Sequence, residues 1–222
     1  VARVRLAVFD MAGTTVDDLV DGVPLVLKCY DDAFRAHGIS VPMEVLNEQR
    51  GRDKWTVIRE LGGPKAEQIY AQFLGALREN TGMVKEIRGA SETFRFLKDR
   101  GVKVVTSSGF PAEVAEAIVH GLGWDRKNLI DSWVCSELVG ASRPDPAMIL
   151  WAMRKYGVEE PRTVVKVDDT ANGIEEGLNA GAVTVGVLTG TQSVQRLEAA
   201  GPDVVLGSVG ELQGYLQGRG LL

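Results

Sequence analysis

Cysteine and histidine are nearly missing from this sequence, which has two of each. Cys29 and Cys135 build no disulfide framework and do not have a metal-binding spacing, so a reducing compartment is the simplest expectation. Neither cysteine has a catalytic context in the sequence. His37 and His120 fall in helical stretches away from any motif and read as structural. Long apolar runs are missing too: no stretch approaches a membrane span, and residues 1–9 are too short, and lack a cleavage region, for a secretory signal. The expectation is a cytoplasmic protein. An excess of positive charge is also absent, with 25 Lys and Arg against 30 Asp and Glu and a net charge of -5. That argues against non-specific nucleic-acid binding and against an anionic membrane surface as partners. There is no internal repeat and no low-complexity tract.

What is present is an ordinary globular composition, 45% hydrophobic and 25% charged over 222 residues, enough to bury a full core. The chain is organised around Leu6-Ala7-Val8-Phe9-Asp10-Met11-Ala12-Gly13-Thr14-Thr15. Its apolar run reads as a buried strand that hands directly to a carboxylate and then to a small-residue turn. Asp10 is therefore expected at a strand's carboxyl end, where open α/β sheets bind ligands. As read from this stretch alone, it is either a nucleophile or metal ligand, or an Asp that opens a turn.

From residue 22 to residue 81 only helical spacing is found, as helices over 22–38, within 43–61 and over 65–80, broken at Gly51 and Gly62-Gly63-Pro64. From about residue 88 helices alternate with strands at 101–106, 132–135, 163–167, 183–187 and 203–206. Such alternation requires right-handed crossovers and a parallel sheet. The expected fold is an α/β, Rossmann-like doubly wound parallel sheet formed by residues 1–17 and 88–222. An all-helical cap of residues 18–87 is inserted over its crevice. The apolar face of the 22–38 helix suits either packing inside that cap or a homodimer.

The other strand ends carry chemistry as well. Thr106-Ser107-Ser108-Gly109 offers small hydroxyls and a glycine amide to an anion, although a Ser-rich turn is by itself a weak sign. Arg143-Pro144 sets a cation beside a Pro-bounded helix start. Asp168-Asp169-Thr170 pairs two carboxylates at a strand end, an arrangement that needs a neutralising cation when a third carboxylate stands nearby. A helix N-cap accounts for one of the two more easily than for both.

In this order, Asp10-Met11-Ala12-Gly13-Thr14-Thr15, Ser108-Gly109, Arg143-Pro144 and Asp168-Asp169-Thr170 resemble the four motifs of the haloacid dehalogenase superfamily, over nearly the whole chain. The resemblance implies Asp10 as a nucleophile that becomes an aspartyl-phosphate. It also implies Mg2+ held by Asp10, the carbonyl of Ala12 and Asp169, with Asp168 as a further contributor. Ser108 and the amide of Gly109 would hold phosphoryl oxygens, and Arg143 would neutralise their charge. Most phosphatases of the superfamily have an acid where this chain has Ala12. Asp-x-Ala-Gly-Thr-Thr instead resembles the phosphonatase branch, that of phosphonoacetaldehyde hydrolase, in which a cap lysine forms an imine with the substrate aldehyde. Arg50-Gly51-Arg52-Asp53-Lys54 resembles that branch's lysine element, which makes Lys54 the expected Schiff-base residue. Three positions depart from the pattern: Val57 stands where the element has a histidine, Val20 where the branch has a cysteine, and Gly173 where many members have a second acid.

The expected activity is hydrolysis of a small phosphonate or phosphorylated metabolite. Cleavage of a C–P bond through Lys54 stands beside a phosphoglycolate phosphatase-like phosphomonoesterase without an imine. Haloacid dehalogenation and a non-catalytic binding module are weaker alternatives, disfavoured by Asp168-Asp169 and by the retained Asp10.

Overall fold

Every residue of β1 (Leu6–Asp10) is buried, which a strand can achieve only inside a sheet covered on both faces. Successive side chains leave it in opposite directions: Ala7 and Phe9 join one hydrophobic cluster, Leu6 and Val8 the other. Phe9 packs edge-on against Phe94 at 5.0 Å, and Phe94 against Trp124 at 5.2 Å, which ties the layer on that face to the sheet.

The structure, a computed structural model, describes residues 3–222; positions 1 and 2, part of the expected core segment and of the residues weighed as a signal, lie outside the described residues. After β1 come β2 (Val16–Asp17), β3 (Leu19–Val20), β4 (Val23–Pro24), α1 (Leu25–Ala36), α2 (Met43–Glu48), α3 (Lys54–Gly62), α4 (Ala66–Asn80) and β5 (Lys85–Glu86). The alternating section follows with α5 (Ala90–Lys98), β6 (Lys103–Ser108), α6 (Ala112–Leu122), β7 (Ser132–Cys135), α7 (Ser136–Val139), α8 (Ala147–Tyr156), β8 (Val164–Asp168) and α9 (Ala171–Asn179). It ends with β9 (Val183–Val187), α10 (Val194–Ala199), β10 (Val204–Leu206) and α11 (Leu212–Gly218).

Six strands form one parallel sheet in the order β10-β9-β8-β1-β6-β7. From β1 the chain winds outward through β6 to β7, then returns to the other side of β1 at β8 and winds out again through β9 to β10. The reversal leaves a crevice beyond the carboxyl ends of β8, β1 and β6. This is the doubly wound sheet expected from the sequence.

The inserted segment differs from an all-helical one. Leu19 pairs with Pro24 and Val20 with Val23, so Asp21-Gly22 is a two-residue hairpin turn. Both residues have positive φ, 53° and 78°, the left-handed geometry that Asp-Gly sequences favour between antiparallel strands. A hairpin therefore precedes α1, and the helix starts at Leu25 and not at residue 22. At the base of the insertion Val16 pairs with Glu86 and Asp17 with Lys85, which ties its two ends together.

Within the insertion α1 packs on α4, with the Tyr30 and Phe73 rings stacked at 4.7 Å, and α3 also packs on α4. The apolar face of α1, from Leu25 through Tyr30 to Phe34, is thereby covered within the chain. No helix of the described residues is long and apolar enough to cross a membrane.

Candidate active site

Three adjacent strands deliver the polar groups. β1 ends on Asp10, directly beside Ser107 of β6, and β8 ends on Asp168, followed by Asp169. The turn after β1 is closed by Thr15 Oγ1 donating to the carbonyl of Asp10 at 2.7 Å and by the amide of Gly13 donating to Val16 O at 2.8 Å. Gly13 has a φ of 92°, and a Cβ there would run into the carboxylate of Asp169. Thr14 Oγ1 donates to Asp169 Oδ1 at 2.9 Å, while Asp169 Oδ2 is buried without a hydrogen-bond partner.

Oxygens of Asp10, Asp168 and Asp169 lie within 4.8 Å of one another. Burial pushes the Asp10 carboxyl above the usual range and Asp168 adds repulsion, against the opposing pull of Arg143 and Lys166. Burial pushes Asp169 up further, with Asp10 and Asp168 adding to it and Arg50 opposing. Burial also acts on Asp168, but Lys166 and Arg143 together outweigh it and hold that carboxyl below its ordinary value. Three crowded carboxylates, with Asp168 Oδ2 and Asp169 Oδ2 both buried without a hydrogen-bond partner, form a donor set that suits a hard divalent cation. The fit of the residues to a metal ion therefore stands on this buried, under-neutralised cluster.

Arg143 makes the most contacts with this cluster. Its Nη1 donates to Asp10 Oδ1 at 2.6 Å, its Nη2 to Ser107 Oγ at 2.8 Å and its Nε to Glu176 Oε2 at 2.8 Å. Lys166, fully buried in the middle of β8, reaches Asp168 Oδ2, Glu176 Oε2 and Ser107 Oγ, each at 3.0 Å. Ser107, Lys166 and Glu176 were not among the expected site residues. Lys166 carries a readable sign, a charge inside the otherwise apolar run Val164-Val165-Lys166-Val167, whereas nothing in the sequence separates Glu176 from Glu175.

The structure also accounts for Gly173. A Cβ at that position in the first turn of α9 would run into the Asp168 carboxylate, so Asp168 fills the space a side chain at 173 would need. Gly173→Ala is expected to destabilise the protein by at least about 1–3 kcal/mol, the usual cost of overpacking a tight interior. Urea unfolding of the two proteins measures it, and an unchanged midpoint would contradict this packing.

The inserted segment contributes the loop before α3. Asp53 caps that helix, its Oδ2 accepting from the amide of Thr56 at 2.7 Å, which makes Lys54 the first helical residue. The loop is fastened to the sheet. Arg143 Nη1 donates to Gly51 O at 3.3 Å, Asn172 Nδ2 to Arg50 O at 3.0 Å, and the amide of Asp53 to Ser142 Oγ at 2.9 Å. Gly109 has to be a glycine, because a Cβ would strike the carbonyls of Gly51 and Arg52.

Lys54 is buried, donates from Nζ to Arg52 O at 2.8 Å and lies 5.6 Å from the centre of the Phe110 ring. Burial pulls its pKa down to about 8; Asp10 and Asp53 oppose the shift, and Arg50 and Arg143 add to it. Asp10, Ala12, Arg50, Lys54, Ser108 and Gly109 line one small cavity of about 20 Å³, closed down by the inserted loop. A larger depression lined by Asp53, Trp55, Tyr70, Glu137 and Ser142 contains none of Asp10, Asp168 and Asp169, so the candidate chemistry belongs to the smaller cavity.

The expected site residues Ala12, Lys54, Ser108 and Gly109 thus line one cavity with Asp10, while Arg143, Asp168 and Asp169 lie close to Asp10 without lining it. Val57 and Val20 are packed in the core, and the His120 ring pairs with Asp125 in an exposed contact. Burial pushes the Cys29 thiol up to about 12, far from reactivity.

Comparison with known proteins agrees with this geometry. The model of the haloacid dehalogenase-like hydrolases matches residues 4–181. The chain is 36% identical over 206 residues to phosphonoacetaldehyde hydrolase of Bordetella pertussis, covering 84% of this chain and 73% of that protein. It is 31% identical over 206 residues to phosphonoacetaldehyde hydrolase of Salmonella agona, at 83% and 75% coverage. Among solved structures it is similar to a phosphonoacetaldehyde hydrolase-like protein from Oleispira antarctica, with a TM-score of 0.85 and 26% identity over 99% of this chain and 94% of that one. A predicted phosphoglycolate phosphatase from Haemophilus somnus, at TM-score 0.81 and 18% identity over 96% and 98% of the two chains, shares the fold. With its motifs converging on one carboxylate and a family match spanning most of its length, the chain belongs to the haloacid dehalogenase-like hydrolases.

Proposed function

We propose that this hydrolase cleaves the C–P bond of a small carbonyl-bearing phosphonate, phosphonoacetaldehyde or a close relative, through an imine on Lys54 and an aspartyl-phosphate on Asp10. The observation that carries the reading is a buried lysine with a pKa near 8 lining the same cavity as Asp10, opposite an Ala12 that can neither donate nor accept a proton. The phosphonoacetaldehyde hydrolases to which the chain is similar support it.

Neutral Lys54 Nζ adds to the carbonyl carbon, and loss of water gives a cationic imine two bonds from phosphorus. Asp10 attacks phosphorus, and the C–P electrons withdraw into the imine to give an enamine, so no acid is needed at position 12. Ser108, Gly109 and Arg143 orient and neutralise the phosphoryl oxygens during the transfer. Water then cleaves the acyl phosphate, and protonation and hydrolysis of the enamine free Lys54. Residues 18–87 act as the cap that keeps bulk water from the imine.

Asp10, the carbonyl of Ala12 and Asp169 would hold Mg2+, with Asp168 beside them. The ion supplies positive charge that offsets repulsion between the carboxylate and the phosphonate. Charge balance supports this assignment. Asp10, Asp18, Asp168, Asp169 and Glu176 are buried with Arg50, Arg143 and Lys166, two more carboxylates than cations when Lys54 is neutral.

Borohydride added during turnover of phosphonoacetaldehyde is expected to fix the product carbon on Lys54 and to inactivate the enzyme. Lys54→Ala is expected to lose C–P cleavage by about 10³-fold or more. Because the imine needs the free amine, kcat/KM should climb as pH rises through about 8 and then level off. A second reading, hydrolysis of a phosphomonoester without an imine, is favoured by Val57, which is core-packed where the lysine element of the branch has a histidine. A fully active Lys54→Ala enzyme would select it.

A further inference from the structure

Three polar atoms around the inserted loop are buried without hydrogen-bond partners: Asp18 Oδ2, Arg50 Nη1 and Asp169 Oδ2. Such atoms are costly, and three in one neighbourhood point to a second arrangement in which they are satisfied. Arg50 connects them. Its Nη2 donates to Ala12 O at 3.0 Å, touches Asp18 Oδ1 at 3.4 Å and lies 4.0 Å from Asp169 Oδ2. The guanidinium thus spreads over two of the oxygens assigned above to Mg2+, while a second carboxylate on its other side is only half used.

We infer that Asp18 and Arg50 form a two-position latch that governs entry of the divalent ion: Arg50 yields the Ala12 carbonyl and Asp169 to the ion and forks onto both oxygens of Asp18. The inference rests on the proposed metal assignment. One side-chain rotation satisfies all three orphaned atoms, because Nη1 and Nη2 pair with Oδ1 and Oδ2 of Asp18 while Asp169 Oδ2 takes the ion. It also separates two cations that would otherwise compete for the same oxygens.

The backbone on both sides of the latch is held in place. The backbone carbonyls of Arg50 and Gly51 are held by Asn172 and Arg143, so the loop stays while the side chain turns. Asp18 is anchored as well, its carbonyl accepting from the amide of Leu25 at 2.8 Å just after the β3–β4 hairpin. Asp18 lies outside the cluster of Asp10, Asp168 and Asp169 and acts on the ion only through Arg50, as a positioning residue.

Calorimetric titration of Mg2+ into the full-length protein, without substrate, tests the latch. Asp18→Asn removes the charge and the second acceptor oxygen that the forked Arg50 needs, and should weaken Mg2+ binding by at least about fivefold, the lower range of measured couplings. Arg50→Met should bind the ion at least as tightly as wild type, and adding Asp18→Asn to it should change nothing further. Arg50→Lys keeps the charge but cannot fork, and should weaken the ion as Asp18→Asn does. Near-ultraviolet circular dichroism checks that each variant is folded.

Wild-type affinity in Asp18→Asn would overturn the latch. So would an equal loss from Asp18→Asn with and without Arg50, which would make Asp18 act on the ion directly. Asp169→Asn separates the two levels. If it binds Mg2+ as tightly as wild type, the metal assignment falls and the latch with it; if it loses the ion while Asp18→Asn keeps it, the latch alone falls.

Discussion

Asp10→Asn is expected to leave a folded protein whose kcat is lower by about 10⁴-fold or more, the scale seen when a covalent nucleophile is removed. The side chain keeps its shape, and its amide oxygen can still accept from Arg143 Nη1, which sits 2.6 Å from Oδ1. What it loses is the anionic oxygen that the proposed mechanism directs at phosphorus.

Stability should move the other way. Burial and Asp168 raise the Asp10 carboxyl, so the native state holds its proton to higher pH than the unfolded chain does. For such a group stability is lost as pH rises above the unfolded value of about 3.8, and at pH 7 the buried carboxylate is a net cost. A neutral Asn removes that cost, so without added metal the variant should melt at or above the wild-type temperature. Turnover assays and thermal melts on one preparation test both statements. Mass spectrometry of acid-quenched wild-type enzyme should find phosphate on the peptide carrying Asp10. Wild-type turnover by Asp10→Asn would sink the mechanism.

What could be read from the sequence follows a physical divide. β1, β6 and β8 were visible because a strand buried on both faces is an apolar run, and its polar terminus marks the crevice. Asp10, Ser108 and Asp168-Asp169 became candidates in this way, Arg143 as a cation beside a Pro-bounded helix start, and Lys54 through a motif that resembles that of a family. The β3–β4 hairpin escaped because strands of two residues have no periodicity to detect, although Asp21-Gly22 carried the turn chemistry. The Glu176–Lys166–Arg143 network escaped for another reason: its members come from α9, β8 and the loop before α8, and only the fold makes them neighbours. The apolar stripe of α1 was equally compatible with an internal partner and an external one until α4 was found against it.

The largest loss of stability is expected from Glu176→Gln. Glu176 is fully buried, and its Oε2 accepts from Arg143 Nε and contacts Lys166 Nζ, so one carboxylate oxygen serves two cations that have no solvent to fall back on. An amide keeps the volume but not the charge, and breaking a buried ion pair from one side costs about 3–5 kcal/mol. For a chain of this size that lowers the melting temperature by roughly 6–20 °C. Activity should suffer as well, because Arg143 is held between Glu176 and Asp10 and loses the anchor on its Nε side. KM for the proposed phosphonate substrate should then rise with kcat less affected, a split that destabilisation alone does not produce.

The pairing can be separated from a generic core defect. If Lys166 and Glu176 stabilise each other across their 3.0 Å contact, the double variant Lys166→Met, Glu176→Gln should cost less than the sum of the two singles, because neither change then leaves the other group buried alone. Strict additivity in urea unfolding would mean that Glu176 works through Arg143 only. In that case Lys166 belongs to Asp168, which it also meets at 3.0 Å, and its removal should raise the Asp168 carboxyl toward the range of Asp10.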